Sequence, residues 1–153
     1  MIEVARREHS VVELRRIHDP VQRYIEDARA VALNKDDVPK EAQRVIPGFC
    51  RLALESASLL VARRRMLREG KPYSEVQAAM EKPTTLMRWL ALALMNDMER
   101  SGEVITFLQR EHPWAVDSVR ACNRGAHSGV LPWDVMGFIK DVEHLTKTML
   151  MQQ

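Results

Sequence analysis

The apolar residues of this 153-residue chain recur at helical spacing along nearly its whole length. Residues three and four positions apart share one face of an α-helix, whereas a half-buried strand alternates apolar and polar residues. No segment shows convincing alternation, and the chain contains neither an internal repeat nor a low-complexity stretch. We therefore predict an all-α bundle, in which short turns make consecutive helices antiparallel neighbours.

One domain accounts for most of the chain. The length suits a single domain, and the 46% of hydrophobic residues suffices for a core without disulfides or metal. Residues 19–153 are predicted to form the bundle, preceded by a peripheral amino-terminal helix over residues 1–18. The apolar stripe of that first helix is thin, which suits peripheral packing or a coiled-coil partner. Its apolar residues are Val4, Val11, Leu14 and Ile17.

A long central helix is predicted from about residue 39 to residue 69. Pro47 and Gly48 interrupt its pattern and predict a kink or a break. Gly70 follows a run of cations and is the expected glycine just beyond the carboxyl end. Glu55 lies among apolar neighbours, so it is expected either to orient an arginine across the bundle or to close a buried hydrogen-bond network.

The boundaries of the other helices are predicted from capping residues and prolines. Asp19 and Pro20 are expected to begin the second helix, and Ser74 is expected to cap a short connector helix. A helix over 85–100 is expected to end at Gly102 and to be followed by a short helix. Pro113 is expected to open a helix that ends near His127, and the last helix is expected over 132–151. The predicted core residues are Phe49, Leu52, Ala53, Leu60, Trp89, Leu90, Leu94, Val116, Val119, Ile139 and Val142, with Val135, Met136, Leu145 and Met149 on the inner face of the last helix.

The two cysteines, Cys50 and Cys122, show no spacing typical of zinc sites. We expect two buried, reduced thiols and no metal or cofactor. The amino terminus lacks the apolar run of a signal peptide, and no run reaches the roughly 18 apolar residues of a membrane span. These features predict a cytoplasmic protein without membrane association. The net charge of +2 is compatible with a local basic patch.

The stretch RACNRGAHSG gathers the polar residues best suited to chemistry. Arg120 and His127 lie seven positions apart, so on a helix they point in about the same direction, with Asn123 and Arg124 beside them. Cys122 points toward the core. Arginine binds phosphate and stabilises developing negative charge, and histidine is suited to acid–base catalysis. The same residues also fit a plain helix end, where cations interact favourably with the helix dipole.

The order RACNRGAH before a final helix resembles the motif of HEPN domains. These are bundles of four to five helices that commonly dimerise, and many are metal-independent ribonucleases of toxin–antitoxin, abortive-infection and CRISPR-linked systems. The family motif is an Arg, usually a polar residue, and a His after a gap of four to six residues, which Arg120, Asn123 and His127 match at the longest gap. In the commonest spacing the Arg stands where this chain has Cys122, and Arg120 or Arg124 would take its place.

This resemblance implies a homodimer that places two motifs across one cleft. RNA would be the substrate, His127 the general acid or base, Arg120 and Arg124 the phosphate ligands, and Asn123 a positioning residue. The segments VIPGFCRLALESASLLVARRR and RACNRGAHSG also resemble the carboxyl-terminal part of RecF- or SMC-like bacterial defence ATPases, although the chain has no phosphate-binding glycine loop. An ATPase or an antitoxin is the expected kind of partner protein. The alternative function is a non-catalytic dimerisation or assembly module that binds an ATPase-type partner protein or a nucleic-acid backbone.

Two further features have open interpretations. The run ARRRMLREG is expected either to bind phosphate or to form a solvated helix end. Trp114 and Trp133 bracket the motif and are expected either to pack in the core or to stack on bases.

Overall fold

The computed structural model describes residues 20–34, 44–128 and 134–151, without the side chains of residues 125–128. Over these ranges it contains seven α-helices and no strand. The predicted all-α class is thereby confirmed. The helices are α1 (20–33), α2 (Val45–Arg68), α3 (Tyr73–Met80), α4 (Leu86–Met95), α5 (Val104–Glu111), α6 (Val116–Ser128) and α7 (Val135–Met151).

Helix α2 is the centre of the bundle, and it packs against α3, α4, α6 and α7. Its buried residues line more than one face, as expected for a central helix. One large core surrounds it, and a smaller cluster forms where α3 covers its carboxyl-terminal half. The buried members of the smaller cluster are Ala62, Met66, Val76, Met80 and Leu92.

The predicted kink at Pro47 and Gly48 does not occur within α2, and a break before residue 44 would lie outside the described residues. The helix begins at Val45, so Pro47 is its third residue and lies in the first turn. The first backbone N–H groups of a helix have no partner within it, and a proline there removes no hydrogen bond. α2 therefore runs unbroken to Arg68. The expected beginning near residue 39 lies outside the described residues.

The carboxyl end of α2 is the one that the sequence predicts. Gly70 has a φ of 79°, in the left-handed region that glycine adopts without steric cost. Its N–H donates to the carbonyl of Leu67 at 3.0 Å, and the N–H of Lys71 donates to the carbonyl of Met66 at 3.1 Å. This pair of bonds is the Schellman motif, and it satisfies two carbonyls that the helix leaves open.

Helix α4 ends earlier than predicted. It stops at Met95 rather than continuing to residue 100, because Asn96 takes a left-handed φ of 58°. Asn tolerates that conformation better than most residues. The Asp97 carboxylate then accepts a hydrogen bond from the Glu99 N–H at 3.0 Å and starts a separate 3-10 turn over Met98–Glu103.

Capping at two other helices also differs from the prediction. Ser74 does not cap α3, since Pro72 holds the capping position and Ser74 lies exposed inside the first turn. α7 begins at Val135 instead of residue 132. The Asp134 carboxylate accepts a hydrogen bond from the Gly137 N–H at 3.0 Å and so caps this helix.

Most of the predicted core is correct. Ala53, Leu90, Val116, Val119, Ile139, Val142, Leu145 and Met149 are buried, and Phe49, Leu60, Trp89, Leu94 and Val135 are half-buried. Two predictions are wrong: Leu52 is 40% exposed and Met136 is 42% exposed. Both occupy outward positions of helices whose opposite faces supply the core, so their apolar character alone was misleading.

The amino-terminal part of the bundle is joined to the last helix. Pro20 begins α1 as predicted, whereas residues 1–18 and Asp19 lie outside the described part of the chain. α1 buries Ile25, Ala28 and Ala32 against the core. The Arg29 guanidinium bonds the Glu143 carboxylate of α7 at 3.2 Å, which fixes the two helices side by side.

One helix of the structure is relevant to membrane association. Among the described residues, only α2 is long and apolar enough to cross a membrane. Half of its most apolar 18-residue window is buried inside the bundle. One helix that meets these criteria of length and composition is weak evidence for a membrane span, because core helices meet them too.

Candidate functional site

At the predicted motif, helix α6 has one polar face and one buried face. Arg120 and Arg124 are exposed, and Asn123 is half-buried. Val119 and Cys122 are fully buried on the opposite side. Because residues four apart stand one turn apart on a helix, the two guanidiniums can reach the same anion. Within the described residues Arg120 makes no hydrogen bond or ion pair, so its donors face solvent.

The position of His127 follows from the helix itself. The α6 backbone is helical to Ser128, and His127 therefore lies about two turns, roughly 10 Å, beyond Arg120 along the axis. Its side chain lies outside the described part of the structure, as does everything at residues 129–133. The described portion of the predicted site is thus Arg120, Asn123 and Arg124.

Helix α7 supports the first half of α6. The Ser118 hydroxyl donates a hydrogen bond to the Asp141 carboxylate at 3.4 Å. Ser118 is only 6% exposed, so this bond satisfies a polar group at the interface of the two helices. Asp117 is exposed one turn before Arg120 and limits the positive charge at the beginning of the polar face.

Cys122, which the HEPN resemblance aligns with the commonest arginine position of that motif, lies in the core. Both Cys122 and Cys50 are fully buried and free, as predicted. Burial raises the pKa of the Cys122 thiol well above its ordinary value, the neighbouring Cys50 thiol raises it further, and Arg51 lowers it in part. Cys122 is therefore a neutral thiol that contributes to packing and brings no charge to the polar face.

The thiols are expected to be unreactive in the folded protein. A thiolate is the reacting species, and burial both disfavours it and blocks access. Ellman's reagent at pH 8 should therefore label neither Cys50 nor Cys122 in the native protein and both in denaturant. Rapid labelling of native protein would show that the α2–α6 contact opens readily, and a Cys122→Ala variant would then identify which thiol reacts.

Arg51 is a cation that sequence reasoning did not single out. It lies on α2, close enough to Cys122 to lower the pKa of that thiol. Its Nε donates to the Glu55 carboxylate at 2.9 Å, and both side chains are about one-fifth exposed. Glu55 thus pairs with an arginine of its own helix instead of reaching across the bundle. The spacing of four residues was the available signal for this pair.

An aromatic cluster surrounds Trp114, which lies in the short 3-10 turn Pro113–Ala115 between α5 and α6. Trp114 stacks on His144 with ring centroids 4.1 Å apart and an interplanar angle of 10°. His112 tilts against the same indole at 5.8 Å. Trp114 is half-buried and packs against the large core, so core packing accounts for it better than base stacking does. Trp133 lies outside the described residues.

No group of three or more potential metal ligands occurs among the residues that the structure describes. Comparison with protein-family models, with curated proteins and with solved structures gives no significant match. The HEPN resemblance accordingly depends on the motif of this chain alone.

Proposed function

We propose that this chain is a HEPN-like, metal-independent endoribonuclease of a bacterial defence or toxin–antitoxin system. The observation that carries the proposal is the pairing of exposed Arg120 and Arg124 with Asn123 on one face of α6, in register with His127. Two guanidiniums one turn apart form a site for a phosphodiester, since arginine donates two parallel hydrogen bonds to phosphate oxygens.

The proposed reaction uses the substrate's own nucleophile. His127 takes the proton of a ribose 2′-hydroxyl, whose oxygen then attacks the adjacent phosphorus. The bond from phosphorus to the 5′-oxygen breaks, and that oxygen receives a proton from a second imidazole or from water. The products are a 2′,3′-cyclic phosphate and a 5′-hydroxyl. Arg120 and Arg124 stabilise the extra negative charge on phosphorus in the transition state, and Asn123 orients the sugar or the imidazole.

The site is proposed to be completed by a second copy of the chain. Two α6 ends around a two-fold axis would supply one imidazole as base and another as acid, and would double the positive charge in the groove. The protein would act in the cytoplasm, where an antitoxin or an ATPase would hold it inactive.

Association is therefore expected to be measurable in solution. Light scattering across a dilution series should report twice the protomer mass at the highest concentrations and a lower mass on dilution. If the protein stays strictly monomeric at high concentration, the composite site is excluded. Cleavage by a monomer would then have to use a single His127.

A non-catalytic assembly module is the second candidate. The burial of Cys122 favours it, because no cation can occupy the commonest arginine position of the motif. In this case Arg120 and Arg124 bind a protein partner or a nucleic-acid backbone without chemistry. The net charge of +2 gives no general attraction for nucleic acid, so binding would depend on this local patch.

Single substitutions of the two arginines test the proposal. Arg120→Ala and Arg124→Ala should each lower kcat/KM for RNA, with kcat falling for the residue that contacts the transition state and KM rising for the one that holds the ground state. Arg100→Ala is the matched control, since its exposed ion pair with Glu103 contributes little. If no RNA is cut and charge reversal at Arg120 and Arg124 releases a partner protein, the assembly module is correct.

A further inference from the structure

A pocket of about 550 Å³ opens at the opposite end of α2 from the α6 motif. Its walls come from α2, α4, α5 and α7, and they include buried Val61, Ala93 and Met149 together with half-buried Leu94 and Phe107. Small-molecule sites are typically concave, largely apolar and a few hundred Å³ in volume. The size of this pocket meets that description, and five of its eight lining residues are apolar while the other three are charged.

A guanidinium is fixed at one wall. Arg65 of α2 donates hydrogen bonds to two carbonyls in the last turn of α4, those of Leu92 at 3.1 Å and Ala93. The Leu92 carbonyl also accepts the Asn96 N–H at 3.1 Å, and the Ala93 carbonyl is one of those that a helix end leaves without a partner inside the helix. The two bonds hold the cation in place at the pocket, and the remaining N–H groups of Arg65 are available to a ligand.

A second guanidinium lies at the rim. Arg68 is exposed, lines the same pocket and makes no hydrogen bond or ion pair within the described part of the chain. The one carboxylate of the lining, Glu69, lies 3.8 Å from the Lys71 ammonium. The charged residues of the lining therefore carry a net positive charge.

We propose that this pocket binds an amphiphilic carboxylate, with the carboxylate between Arg65 and Arg68 and an aliphatic chain between α4, α5 and α7. An arginine pair selects an anionic head group, and the apolar walls gain free energy by removing a hydrocarbon chain from water. This site is independent of the proposed ribonuclease. Cys50 marks the part of α2 that contacts Cys122 of α6. Arg68 lies 18 residues farther along α2, which places the two sites about 27 Å apart along this helix.

Isothermal titration with decanoate, decanol and decyltrimethylammonium tests the proposal. Decanoate should bind with saturation at one molecule per chain, decanol at least about tenfold more weakly, and the cation not at all. Arg68→Glu should abolish decanoate binding and Arg68→Lys should restore part of it, because Lys keeps the charge but lacks the fork of donors. Arg100→Ala is the control that should bind as the wild type does.

Each of three results overturns the proposal: no saturable binding of decanoate to the wild type, equal affinity for decanol, or unchanged affinity in Arg68→Glu. Arg68 is exposed, so its substitution leaves the core intact, and thermal unfolding of each variant verifies this. Cleavage of RNA should be unaffected by decanoate at saturating concentration. The two sites therefore succeed or fail separately.

Discussion

Leu90→Ala is expected to lower the free energy of unfolding by about 2–5 kcal/mol. Leu90 lies in α4, is fully buried, and belongs to the large core around α2. Truncation to Ala removes three buried carbon atoms and leaves a cavity that neighbouring helices fill only in part, so both the transfer free energy and packing contacts are lost. Urea denaturation followed by circular dichroism at 222 nm measures this change.

Leu52→Ala is the matched control for that experiment. It makes the same chemical change on α2, at a side chain that is 40% exposed. We expect its effect to be below about 1 kcal/mol, since surface substitutions away from the core change stability little. Equal losses from the two variants would contradict the described core.

His127→Ala is expected to lower RNA cleavage by at least about 100-fold, the usual contribution of a general acid or base. The substitution removes the only group of the motif that can exchange a proton near neutral pH. It should leave the thermal unfolding temperature nearly unchanged, because the proposed role of the imidazole is chemical.

Two controls make this result interpretable. Cys122→Ala should retain the catalytic rate, since that side chain is buried away from the polar face. His144→Ala removes an imidazole that stacks on Trp114 and takes no part in the proposed reaction. If His127→Ala cleaves RNA as fast as these variants, His127 is not the catalytic group.

The fold class was predictable because helical periodicity depends on the burial of one face, which the order of apolar residues records directly. The ends of helices were less predictable, because they depend on competing local bonds. Pro47 looked like a break and is harmless in the first turn of α2, whereas Asn96 ends α4 through a left-handed backbone. Leu52 shows that apolar character does not identify which face of a central helix is covered.

The polar face of α6 was predictable for the same reason, as three residues at positions 120, 123 and 124 share a side of any helix. Contacts between distant segments were not. Arg65 bonds carbonyls 27 and 28 residues later in the chain, and Trp114 stacks on a histidine of another helix. Such contacts depend on how the helices pack, and the spacing of residues along one helix carries no record of them.

Analysis of RNA ends after incubation with the purified protein in EDTA tests the central claim most directly. The proposed mechanism predicts cleavage that continues without divalent metal and gives fragments with 2′,3′-cyclic phosphate and 5′-hydroxyl ends. It also predicts that His127→Ala does not produce these fragments. The absence of cleavage by a folded, dimeric protein freed of any co-purified partner would contradict it. Fragments with 5′-phosphate ends, or the same products from His127→Ala, would contradict it equally.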